Sequence, residues 1–173
     1  MKVDAAIWSA ERALEARGYR IMPIDPVDPS LWAYTRYDRR HVYVRPDLSE
    51  RETLLALLHE MGHVELHAGT DRSKIATYLR DVEAELTAMR MLRLLRQTSN
   101  GISMDYLKNE TAGHGDVLSI VLTLDADRLE RAAARLVGGM WACYLPRMLW
   151  EQLTRSRKYA TLSLVDSGQE EEA

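Results

Sequence analysis

The sequence predicts an α+β fold in which a small antiparallel hairpin sheet packs on a helical core. Three observations carry that prediction. Apolar residues recur at helical spacing over several separate stretches, and two β-prone runs flank a short polar link before the second of those stretches. Composition is that of one globular domain, with 46% hydrophobic and 28% charged residues in 173 positions, enough chain for a single sizeable core.

Taken in order, Ala6, Ile7, Ala10 and Leu14 share a helical face in a stretch from Ala5 to Arg17, which Gly18 stops. Arg20 to Ile24 reads as a short strand, weakened by Pro23 and closed off by Pro26 and Pro29. Leu31 to Tyr37 and His41 to Arg45, on either side of Asp38-Arg39-Arg40, read as the hairpin. Ser49-Glu50-Arg51-Glu52 then has capping-box form. It opens a helix from about Glu50 to Ala68, with Leu54, Leu55, Leu58 and Met61 at helical spacing and Gly69 placed to end it.

A second long helix is expected from about Ser73 to Arg96. Gln97 to Gly115 is polar and glycine-containing, which predicts loop with a short turn around Met104 to Leu107. Leu118 to Leu124 is apolar without a deciding period. Asp125 or Asp127 is placed to cap a final helix through Leu136 and Met140, which Pro146 interrupts before Arg147 to Arg157 continues it. The expected organisation is one domain over 1–160 and a flexible tail over 161–173, acidic from Ser167 to Ala173.

A net charge of -3 gives no general attraction to nucleic acid or to an anionic membrane, and direct nucleic-acid binding is not expected. The one cysteine, Cys143, has no partner for an internal disulfide. Neither an N-terminal apolar signal nor an apolar run long enough to span a bilayer is present, so the cytoplasm is the expected compartment.

The stretch that carries chemistry is His59-Glu60-Met61-Gly62-His63. On a helix, residues four apart are offset by only about 40° around the axis, so His59 and His63 project side by side and offer two nitrogens to one Zn²⁺. Glu60 then sits beside the ion rather than on it. That suits a general base acting on a water whose pKa the ion lowers toward ~7.

A zinc hydrolase needs a third protein ligand, and the candidates cluster in Asp81-Val82-Glu83-Ala84-Glu85. Asp81 and Glu85 share a face, whereas Glu83 lies about 160° around the helix from both. One face therefore supplies a ligand and a carboxylate behind a ligating histidine. His67 extends the histidine stripe by a turn and is expected to pack or support rather than ligate. His114, between Gly113 and Gly115, is a candidate oxyanion stabiliser, set against a solvent-facing loop histidine. Tyr78 and Tyr106 are phenols that can donate to an oxyanion or pack half-buried, and His41 belongs on the hairpin surface.

The hairpin over Tyr34 to Arg45, the helix Leu55-Ala56-Leu57-Leu58-His59-Glu60-Met61-Gly62-His63-Val64-Glu65-Leu66-His67 and the run Asp81 to Ala88 together resemble the ImmA/IrrE-like gluzincin metallopeptidases. The likeness covers about residues 31 to 95, and the metallopeptidase domain of ArdC-like antirestriction proteins is similar too. The resemblance implies a zincin-like fold, with Zn²⁺ on His59, His63 and Asp81, and Glu60 as the catalytic base. Asp81 stands where the family carries glutamate, one methylene longer, so Glu85 and Glu83 remain rivals for the third position.

It further implies a peptidase acting on a protein or peptide substrate, with limited cleavage of a helix-turn-helix repressor as the family's characteristic reaction. The alternative is a non-catalytic, zincin-fold regulatory or antirestriction-like interaction protein. A third possibility is a structural metal domain in which the ion only stabilises the fold.

Overall fold

The computed structural model describes residues 1–24 and 31–166, and for residue 150 and residues 153–166 it describes the backbone alone. The first helix, α1 (Val3–Ala16), ends where the sequence places its stop. Gly18 takes φ +81, Tyr19 N–H donates to Leu14 O at 3.0 Å and Gly18 N–H to Glu15 O at 2.8 Å. That is the paired termination that a left-handed residue allows, and glycine adopts it without a Cβ clash.

Strands β1 (Arg20–Pro23), β2 (Ala33–Arg36) and β3 (His41–Val44) form a three-stranded sheet in the order β1-β3-β2. The hairpin is as expected, antiparallel, with Ala33 opposite Val44 and Thr35 opposite Val42. The sheet as a whole is mixed rather than antiparallel, because β1 pairs parallel to β3, with Arg20 opposite His41. Pro23 is accommodated because β1 is an edge strand. Pro26 and Pro29 lie outside the described residues.

Helix α2 (Glu50–His67) carries the predicted capping box. Ser49 Oγ accepts from Glu52 N–H at 3.3 Å and Ser49 N–H donates to Glu52 Oε2 at 2.8 Å. Gly69 takes no left-handed conformation, and the helix closes instead through Thr70 N–H to His67 O at 3.3 Å. A 3₁₀ turn (Arg72–Lys74), capped by Asp71, leads into α3 (Thr77–Leu94). Here the terminating left-handed residue is Arg96, at φ +56, with Gln97 N–H on Leu92 O at 2.8 Å.

Three elements depart from the sequence reading. The expected loop between Gln97 and Gly115 contains a nine-residue helix, α4 (Ile102–Glu110), because burying Ser103 and Leu107, each 1% exposed, outweighs the polar character of the stretch. The undecided apolar run forms α5 (Val117–Leu122), capped by Asp116. Finally α6 (Ala126–Asp166) passes through Pro146 without ending. The proline removes one backbone donor from the ladder while the helix-forming chain on both sides holds the conformation. Asp125 rather than Asp127 caps it, accepting from Arg128 N–H at 2.9 Å. The expected tail from residue 161 thus begins inside α6, and Ser167–Ala173 lie outside the described residues.

Two apolar clusters hold these elements. The larger joins α1, β3, α2, α3 and α6 through Leu14, Val42, Leu58, Met61, Met91 and Leu136. Alanines 6, 10 and 13 on α1 let it approach closely. The smaller joins α4, α5 and the start of α6 to the Leu66 and Val82 ends of α2 and α3. Each fully buried leucine contributes about 1.5–3 kcal/mol relative to exposure. Helices α2 and α3, which carry the candidate site, are therefore packed from both sides. Among the described residues, no helix is long and apolar enough to cross a membrane.

Candidate metal centre

Helices α2 and α3 run antiparallel, since His59 meets Glu85 and His63 meets Asp81. Their approach is set by Gly62. A Cβ built there would lie 2.8 Å from Ala84 O and 3.0 Å from Ala84 Cα, both backbone atoms. The glycine within the motif thus lets the two helices close to the distance at which α3 acids reach α2 histidines. A glycine inside a helix is disfavoured by about 1 kcal/mol, and that cost is the one sequence signal that would have pointed to this contact.

His59 Nδ1 lies 2.8 Å from Glu85 Oε2. The proton of a neutral His59 is assigned to Nδ1, donating to the carboxylate, which leaves Nε2 as a lone pair. His63 Nε2 lies 3.0 Å from that His59 Nε2 and 3.1 Å from Asp81 Oδ1. His63 Nε2 thus faces two electron-rich atoms, and a proton on it can satisfy only one of the two contacts. Two ligands on one tetrahedral zinc would stand roughly 3.3 Å apart. The two imidazole nitrogens stand at a spacing that fits two ligands of one Zn²⁺, with Asp81 in contact with His63 and Glu85 on the far nitrogen of the His59 ring.

Burial alone would lower the His59 pKa, but the Glu85 hydrogen bond and charge, with Glu60 and Asp81 behind them, outweigh it and raise it. Burial likewise raises Asp81, and His63 with His59 and Arg80 overcomes it, holding the carboxylate below its usual range.

Glu60 is 3% exposed and also brings a carboxylate oxygen within 4.8 Å of both imidazoles. It is a rival third donor on proximity. Asp81 Oδ1 is at contact distance from His63 Nε2, 3.1 Å, while Glu60 is the acid that stands near both rings and its Oε2 also accepts from Thr35 Oγ1 at 2.6 Å. Thr35 lies on β2, with its register partner Val42 in the core. Sequence reasoning did not single out Thr35; the only hint was its strand alternation with Ala33 and Tyr37. Tyr37 O–H donates to His63 O at 3.4 Å. Its phenol is pushed up to about 12 by burial and by the Glu60 charge.

The other candidates are placed apart from the pair of imidazoles. Glu83 turns to α6, where Arg128 Nη1 donates to it at 2.7 Å while Arg128 Nη2 donates to Leu66 O at 3.2 Å. This follows from its position on the opposite face from Asp81 and Glu85. His67 is fully buried, its Nε2 3.3 Å from Arg80 O, and burial pushes its pKa down to about 4, with the His63 charge adding to the shift. His114 is exposed and stacks on Tyr78 with ring centroids 3.9 Å apart, and neither ring lines the cleft. His41 sits against Tyr43 on the hairpin.

The centre lies in a cleft of about 410 Å³ between β2, α2, α3 and α4. Tyr106 of α4 contacts the His59 ring edge-on, centroids 5.2 Å apart. Burial, then the charges of Asp81, Glu110, Glu85 and Glu60, raise its pKa well above the usual phenol range, so it stays protonated. No family model, curated protein or solved structure matches this chain.

Proposed function

We propose that this chain is a zinc-dependent metallopeptidase of the ImmA/IrrE-like, gluzincin kind, which cuts a protein substrate at a limited site. The observation that carries the reading is the pair His59 Nε2 and His63 Nε2, 3.0 Å apart in a cleft, with Asp81 Oδ1 against His63 and a buried glutamate near both rings that accepts from a strand hydroxyl. A bound zinc would supply Lewis-acid polarisation of the scissile carbonyl and a lowered pKa for the attacking water.

The chain's own residues supply the rest. Glu60 takes a proton from the attacking water as its oxygen bonds to the carbonyl carbon, and returns that proton to the amine as the C–N bond breaks. Thr35 keeps the Glu60 carboxylate aimed during both transfers. Tyr106 keeps an O–H that is available to a developing oxyanion. The free edge of β2 offers main-chain groups to an extended peptide. By the family resemblance, a helix-turn-helix repressor is the first substrate to try.

The test is co-expression of such a repressor with wild type and with Glu60→Gln, alongside zinc analysis of both proteins. One discrete cut by the wild type and none by a zinc-replete Glu60→Gln protein supports the reading. Zinc in both with cleavage by neither points to the interaction-protein alternative.

A further inference from the structure

One cation in the cleft has no part in holding the metal. Arg80 precedes Asp81 on α3 and lines the cleft with Thr77 and His63. Its Nη2 donates to Thr77 Oγ1 at 3.0 Å, while its buried Nε has no hydrogen-bond partner among the described residues. Among the described residues Arg80 makes no ion pair: Asp81 feels its charge but contacts His63 at 3.1 Å, Glu85 Oε2 is on His59 at 2.8 Å and Glu83 Oε1 on Arg128 at 2.7 Å.

A guanidinium partly withdrawn from water is unfavourable until an anion meets it, and its planar fork matches a carboxylate through two N–H donors. A second cation lies behind a cleft residue. Arg72 lies over the Tyr37 ring at 4.0 Å, and Tyr37 O–H donates to the backbone of His63.

We propose that Arg80 is the specificity determinant of this site, binding a carboxylate of the peptide carried by an acidic side chain or by the C-terminus. The proposal rests on the peptidase reading for taking the ligand to be a peptide. The carboxylate would sit beside His63, in the part of the cleft lined by Thr77, Arg80 and Tyr37.

Binding tests this separately from catalysis. Zinc-loaded full-length wild type, Arg80→Gln and Arg80→Lys are titrated by fluorescence anisotropy against four rhodamine-labelled peptide pools. The pools carry Glu and Asp or their Gln and Asn isosteres, each with a free or an amidated C-terminus. Wild type is expected to prefer one carboxylate-bearing arm by about 10- to 100-fold, the range of a charge-assisted hydrogen bond. The arm that shows the preference identifies the carboxylate's source.

Arg80→Gln should abolish that preference at unchanged zinc content, and Arg80→Lys should keep part of it, having the charge without the fork. No preference in the wild type, or a preference intact in Arg80→Gln, overturns the proposal. Mass spectrometry of the same peptides reports cleavage independently, so a site that binds carboxylates without cutting separates failure of the peptidase reading from failure of this one.

Discussion

Two glycine-to-alanine substitutions with the same chemistry should move stability in opposite directions. In α6, a Cβ at Gly138 meets nothing within 4 Å, so Gly138→Ala should gain the helical preference of alanine, about 1 kcal/mol. At Gly62 the same gain is opposed by contact with Ala84 O at 2.8 Å, against the 3.4 Å where ordinary contact begins. The difference, about 0.6 Å, has to be found by separating two backbones, because no flexible side-chain end stands in the way. Overpacking of this kind costs about 1–3 kcal/mol.

Gly62→Ala should therefore be neutral to roughly 2 kcal/mol destabilising, and the gap between the two variants should equal the overpacking cost of about 1–3 kcal/mol. Both changes restrict the unfolded chain alike, so that contribution cancels in the comparison. Urea unfolding of the zinc-free proteins measures both midpoints. Equal stabilisation by the two alanines would refute the claim that Gly62 sets the helix spacing.

Zinc retention should sort the acids: His59→Ala or His63→Ala loses the ion, Asp81→Ala binds it many-fold more weakly, and Glu85→Ala about 10–100-fold more weakly, as read by competition with a chelating dye. Full zinc in both histidine variants would remove the proposed site. Glu83→Ala should keep zinc and lose on the order of 1 kcal/mol of stability through the lost hydrogen bond from Arg128 Nη1, a split visible by comparing the dye titration with urea unfolding. Thr35→Val should keep zinc and lower kcat/KM by tenfold or more, since a hydrogen bond to a charged group is worth about 1.5–3 kcal/mol; an unchanged rate would show that Thr35 does not aim the base.

For His67, the unfolded chain takes up a proton from about pH 6.5 downward, whereas the folded protein resists it to about 4. Its contribution to stability therefore falls by about 2–3 kcal/mol as pH drops through that window. Unfolding of the zinc-free protein from pH 7 to 4 should be less pH-dependent in His67→Leu, and equal slopes would show that His67 does not resist protonation.

Much of the frame was legible because it is written in local chemistry. Ser49 and Glu52 lie three residues apart, Gly18 follows the last turn of α1, and the hairpin is two β-prone runs across one short link. The facing of Asp81 and Glu85 follows from helix geometry alone. What escaped depends on residues distant in sequence. The parallel pairing of β1 joins Arg20 to His41, far along the chain, and α4 depends on the burial of Ser103 and Leu107 against neighbours the local pattern does not name. Thr35 meets Glu60 across 25 positions, and Arg128 meets Glu83 across 45. Pro146 misled in the other direction, since one missing donor is a smaller loss than an abandoned helix.

Thr35 anchors the base to the sheet, while the metal donors belong to the helix pair. The two functions hang on different parts of the frame. Thr35 on β2 reaches the Glu60 carboxylate, while Tyr37, just beyond the strand, reaches only the backbone of His63. If the chain is the proposed zinc peptidase, a change in the strand would alter turnover through Thr35 without removing a metal ligand. On the peptidase reading, a chain built this way would pass between working enzyme and metal-bearing scaffold through changes in its hairpin.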